Sequence, residues 1–150
     1  MKVETESRPR IAMVIDDNNI DVQIARTLIK VSNFADQVIS EWSAVDALKF
    51  LKENEAQPER LPEVIFLDIR MPEMDGFGFL SEYHKLGQDI RQNVRIVMLS
   101  SSSDPEDVKQ SEDNVDVYKF ISKPLSVKDL NGLDPVLMFK NPGAFKRENN

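Results

Sequence analysis

The chain has 150 residues, 41% hydrophobic and without cysteine, so one domain with its own core is expected, and a disulfide framework or thiolate metal site is excluded. A formal net charge of −7 argues against nonspecific attraction to nucleic acid or anionic lipid. No apolar signal segment opens the polar N-terminus and no run approaches membrane-spanning length, so a soluble, cytoplasmic protein is expected.

Residues 1–9 are polar and read as a frayed segment. Residues 11–15 form a short buried strand stopped by "DDNN". Asn18 or Asn19 can cap a helix whose apolar face is Ile20, Ile24, Leu28 and Val31. A weaker strand covers residues 37–40, with Trp42 expected to be partly buried where it leaves the sheet. Ser43, with Asp46 three residues on, starts a second helix carrying Ala44, Ala47, Leu48 and Leu51. Residues 53–62 are a polar loop.

The next run, "VIFLDIRMPEMDGFGFL", sets Asp68 directly after four apolar residues. An ionised carboxylate at the end of a buried strand is costly unless partnered. After Gly76 a third helix buries Phe79, Leu80, Tyr83 and Leu86. Residues 95–99 are another strand, running into four serines. Asp104-Pro105 opens a short, very polar fourth helix, expected to be marginal. Residues 115–121 form a fifth strand, stopped by Lys123-Pro124, and a last helix from about Ser126 is interrupted by Gly132 and Pro135.

Strands alternating with helices imply an α/β doubly wound fold with one five-stranded parallel sheet. In such sheets the functional crevice lies at the carboxyl ends of the strands. Those ends carry Asp16 and Asp17 after the first strand, Asp68 after the third, Ser100 after the fourth and Lys123 after the fifth. Three crowded carboxylates raise one another's pKa unless a cation relieves them, and an all-oxygen site with open positions suits Mg²⁺. A carboxylate in such a site can attack phosphorus and become an aspartyl phosphate, with the lysine and hydroxyl neutralising the phosphoryl oxygens. Each feature alone has a bland origin in turns, caps and solvated loops. Their joint order along one alternating chain does not.

"MVIDDNNID", "VIFLDIRMPEMDGFGFL", "IVMLSSS" and "FISKPL" together resemble the CheY-like receiver domain of the two-component response-regulator family, over roughly residues 10–139. The resemblance implies a flavodoxin/CheY-like (βα)5 fold in which Asp68 is the phosphoacceptor of a histidine kinase or histidine phosphotransfer protein. It implies Mg²⁺, or Mn²⁺ in its place, held by Asp17 directly, Asp16 mainly through water, Asp68 and the backbone carbonyl of Arg70. Ser100 would be the switch hydroxyl, Lys123 the phosphate partner and Phe120 the switch aromatic. Pro72 and Gly76 would shape the neighbouring loop. The fourth helix, fifth strand and fifth helix would meet a downstream protein, with neither nucleic acid nor membrane as partner.

Serine stands at position 100 where threonine is commoner, and Phe120 where tyrosine is commoner. Tyr118, two residues earlier, is expected on the same strand face, where its hydroxyl could compensate. The loop at 53–62 is longer than usual for the family, and the last helix is broken. The expected protein is a stand-alone receiver with a polar tail at 140–150. It would assist its own phosphorylation and dephosphorylation without being a turnover enzyme. Three rivals remain. They are a phosphorelay shuttle to a histidine phosphotransfer protein, a Mg²⁺-dependent phosphohydrolase, and an interaction module with an inert pocket. A hydrolase wants a second acid close after the nucleophile, where Arg70 stands. His84, the sole histidine, reads as a surface residue, and Met71 and Met74 as packing.

Overall fold

A computed structural model describes residues 9–133. The segment at 1–8 and the residues from 134 on, including Pro135 and the expected tail, lie outside the described residues.

Strands β1 (Ile11–Ile15), β2 (Gln37–Glu41), β3 (Val64–Leu67), β4 (Arg95–Ser100) and β5 (Val117–Ser122) form one sheet in the order β2-β1-β3-β4-β5. Every pairing is parallel. The three inner strands are buried along their whole length, which is why they read as unbroken apolar runs. Helices α1 (Asn19–Val31), α2 (Ala44–Glu53), α3 (Gly76–His84) and α4 (Pro105–Asp113) fill the crossovers, and α5 (Val127–Gly132) follows β5. A one-turn helix at Gln88–Arg91 and a 3₁₀ turn at Pro58–Arg60 occupy stretches the sequence marks only as connections.

Two cores sandwich the sheet. On one face α2 and α3 bring Leu48, Leu51, Phe79 and Tyr83 onto Met13, Ile65 and Met98. On the other, α1 and α5 bring Val22, Ile29 and Leu130 onto Val14, Phe66 and Val97. The caps are local and strong. Side chains of Asn18, Ser43, Asp75, Asp104 and Ser126 each accept a first-turn backbone N–H, and Ser126 with Asp129 closes a full capping box.

Three sequence expectations need correction. The buried face of α1 is Val22, Ala25 and Ile29, with Leu28 partly buried beside it, while Ile20 and Val31 are 70% and 69% exposed. At about 100° per residue these two stripes lie on opposite sides of the helix. Both have helical spacing, and the sheet takes the one in which small Ala25 permits close approach. Trp42, at 47% exposed, is on the surface, since Ser43 caps α2 at once and turns the chain away from the sheet. Finally, the β4–β5 register shifts between Ile96 and Val97, with Ile96 opposite Val117 but Val97 opposite Lys119. The extra residue is a bulge, and it reverses side-chain parity. Phe120 therefore packs against the core under α2 and α3, and Tyr118 against the core under α1 and α5. Tyr118 does not share the face of Phe120.

Candidate functional site

The strand ends bring the expected polar residues together. Each continues the ladder for one more residue: Asp16 N–H donates to the Glu41 carbonyl (3.1 Å), Asp68 N–H to Ile15 (2.9 Å) and Lys123 N–H to Ser100 (2.9 Å). Backbone pairing thus fixes the bases of these three side chains before the side chains themselves interact. The Lys123–Pro124 peptide is cis. Carboxylate oxygens of Asp16, Asp17 and Asp68 lie within 4.8 Å of one another, two of these residues buried and Asp17 exposed. This donor set is all oxygen, clustered and open on the Asp17 side. Hard divalent cations favour such a set.

Lys123 holds the cluster together. Its Nζ lies 2.7 Å from Asp16 Oδ2, 2.8 Å from Asp21 Oδ2 and 3.4 Å from Asp68 Oδ1. Burial works against the ammonium, but the hydrogen bonds to Asp16 and Asp21 and the Asp68 charge outweigh it and hold its pKa above the ordinary lysine value. Asp68 is 7% exposed. Burial first, then the Asp16 charge, lifts its pKa from 3.8 to about 6, against the opposing pull of Lys123. Asp68 is held by one ammonium, shared among three acids, and by the backbone of Ile69.

Asp21 is the member of the site that sequence reading misses. It lies in the first turn of α1, where an acid is ordinary helix capping chemistry, and its partner stands 102 residues away. Ser100 is buried, and its Oγ accepts the N–H of Ser102 at 3.0 Å. Phe120 is half-buried against the core. The Arg70 side chain turns from the cluster to Asp107. Met71 and Met74 pack in or against the core under α2 and α3, as packing residues should. His84 is on the surface, its Nδ1 2.8 Å from Asp116 Oδ2. No helix among the described residues is long and apolar enough to cross a membrane.

The loop after Asp68 is tightly built. Gly76 N–H donates to the Ile69 carbonyl at 2.7 Å, and a Cβ on Gly76 would stand 2.5 Å from the Asp68 carbonyl oxygen. Glu73 takes a left-handed backbone at φ 71°, uncommon for a residue with a side chain.

Comparison with known proteins agrees with this geometry. Residues 12–133 match the family model described as "Response regulator receiver domain". The probable methanogenesis regulatory protein FilR2 of Methanothrix harundinacea is 29% identical over 124 residues, covering 81% of this chain and 77% of the relative. Response regulator Rcp1 of Synechocystis is 26% identical over 123 residues, covering 81% and 82%. A solved two-component response regulator from Cytophaga hutchinsonii superposes with a TM-score of 0.80 at 28% identity, covering 89% of this chain and 98% of that one. The CheY-like fold is thereby established, and the chain belongs to the response regulator receiver domain family.

Proposed function

We propose that this receiver domain takes a phosphoryl group onto Asp68 from a phosphohistidine of a kinase or phosphotransfer protein, and that the modified surface then binds a downstream protein. The observation that carries the reading is the shared ammonium: Lys123 contacts Asp16, Asp21 and Asp68 at the mouth of the sheet. An Asp68 oxygen forms the new bond to phosphorus while the donor's N–P bond breaks. The electron pair leaves with the imidazole nitrogen, which takes up a proton. Lys123 is then positioned to shift from Asp16 towards the phosphoryl oxygens, and the Ser100 hydroxyl to donate to one of them. Asp16, Asp17, Asp68 and the Arg70 carbonyl would hold Mg²⁺ or Mn²⁺, which when bound supplies charge neutralisation at the transferring group.

The exposed stripe of α1 supports a helical phosphodonor. Exposed Ile20 is one turn before Ile24, which lines a groove with Asp21, Ala25, Leu99, Lys123 and Leu125. A donor helix seated there would set its histidine next to the pocket. Arg70 occupies the place where a hydrolase would want an acid, and its side chain is engaged by Asp107, which favours an acceptor over a phosphohydrolase. Output through α4, β5 and α5 follows the family expectation, with the relay shuttle as the alternative.

The test is labelling by acetyl phosphate or a cognate kinase in Mg²⁺. Wild type should acquire a base-labile acyl phosphate, and Asp68→Asn should acquire none. Undiminished label on that variant would move the acceptor elsewhere.

A further inference from the structure

Asp107 is a buried carboxylate that the phosphoryl chemistry does not use. It is 6% exposed, and its Oδ2 accepts Arg70 Nη2 at 2.5 Å and Ser102 Oγ at 2.7 Å. Arg70 stands two residues after Asp68 and Ser102 two residues after Ser100. Asp107 therefore joins the loops leaving β3 and β4, the two that bracket the phosphoacceptor. The connection continues inward, because Ser102 N–H donates to Ser100 Oγ at 3.0 Å. An unbroken chain of hydrogen bonds runs from Ser100 through Ser102 and Asp107 to Arg70.

The same carboxylate anchors α4. Most helices of this kind are fastened by an apolar face. The buried residues of α4 are Asp107 and Ser111, and Ser111 Oγ donates to the Asp107 carbonyl at 2.8 Å. A buried carboxylate is tolerated only with its partners in place, so loss of a partner favours moving the acid to water. Here that movement would carry the first turn of α4 with it.

We propose that Arg70, Ser102 and Asp107 form a clamp that holds α4 in its resting position and that phosphorylation of Asp68 opens it. The inference deepens the phosphoacceptor reading and rests on it. A phosphoryl group adds roughly −1.5 to −2 charges on Asp68, two residues before Arg70, against the single charge of Asp107. The Arg70 side chain is 63% exposed and has room to turn. When Ser100 turns to the phosphoryl group, its bond from Ser102 N–H is lost as well. Asp107 is the positioning residue of this device, acting through its two partners and touching no reacting atom.

Amide exchange of the full chain, with and without beryllofluoride and Mg²⁺, tests the clamp in wild type, Arg70→Gln, Asp107→Asn and the double variant. Without beryllofluoride, each single variant should speed exchange over residues 102–111 about ten-fold, the size expected for one charge-assisted hydrogen bond. The double variant should go no further than the larger single, and exchange in the inner strands should stay unchanged. Both single variants should also accept phosphoryl from acetyl phosphate several-fold faster. Beryllofluoride should loosen the same segment in wild type and add little in the variants. Arg70→Gln changes an exposed side-chain end, so it keeps the test decisive if Asp107→Asn folds poorly. Additive singles, or an unaltered 102–111 segment in Arg70→Gln, would overturn the clamp. Label on Asp68 with that segment unmoved sinks the clamp alone, whereas absence of label on wild type sinks the phosphoacceptor reading itself.

Discussion

Lys123 Nζ lies 2.8 Å from Asp21 Oδ2, a carboxylate of α1 that stands outside the acidic trio. Asp21 shares the ammonium with Asp16, at 2.7 Å, and Asp68, at 3.4 Å, which carry the oxygens a divalent cation needs. Asp21→Asn would leave Lys123 to those two acids alone, in direct competition with metal. Mg²⁺ affinity should fall about three- to ten-fold, consistent with the loss of one partly exposed ion pair. Isothermal titration reads this directly, and an unchanged or tighter Kd would refute the tether.

Metal and phosphate recognition should separate by residue. Asp17→Asn removes a charged oxygen from a hard-cation site and should weaken Mg²⁺ about ten-fold or more. Lys123→Ala removes a nearby positive charge and should leave Mg²⁺ affinity equal or slightly higher, while impairing the response to beryllofluoride. Equal loss of Mg²⁺ in both variants would contradict this division.

The pKa of Asp68, lifted to about 6 by burial and the Asp16 charge, predicts a pH-dependent stability. A carboxylate whose folded pKa exceeds its unfolded value holds its proton better when folded. The metal-free protein therefore gains stability from this group as pH falls from about 6 towards 4, and loses it as pH rises through that window. The effect is on the order of 3 kcal/mol if this group acts alone. Mg²⁺ should relieve the crowding, raising Tm by several degrees at pH 7.5 and hardly at all at pH 5. Equal shifts at both pH values, read by calorimetry, would show that the crowding is unimportant.

Gly76 and Gly132 should respond oppositely to alanine. A Cβ at Gly76 meets the Asp68 carbonyl oxygen at 2.5 Å and Ile69 Cα at 3.0 Å, both backbone, whereas Gly132 has open space. Gly76→Ala should cost about 1–3 kcal/mol and slow labelling, since the crowded oxygen belongs to the phosphoacceptor residue. Gly132→Ala should add about 0.4–1 kcal/mol. Urea denaturation of the two variants measures both signs, and a neutral Gly76→Ala would mean the loop yields freely.

Duplex DNA should not bind in the resting or the beryllofluoride-loaded state at physiological salt, given a formal net charge of −7. A fluorescence anisotropy titration with and without beryllofluoride checks it. Saturable binding in the loaded state would redirect the output from protein to nucleic acid.

The sheet and the composition of the pocket are legible in the amino-acid order, because both are written in local patterns. Unbroken apolar runs in β1, β3 and β4 mark strands buried on both sides, and the polar residue ending each run falls at the same edge of a parallel sheet. Parallel topology alone thus gathers Asp16, Asp68, Ser100 and Lys123. Other features depend on which of two locally equal choices long-range packing selects. α1 carries apolar stripes on opposite sides, and nothing local says that Val22, Ala25 and Ile29 go inward while Ile20 faces out. The bulge that parts Tyr118 from Phe120 arises from pairing with β4, and periodicity within β5 cannot reveal it. Asp21 with Lys123 and Arg70 with Asp107 are ion pairs 102 and 37 residues apart in the chain. Charge type alone does not choose among the many acids and bases of such a sequence. Folding chooses, by bringing particular strand ends and helix starts within hydrogen-bond reach.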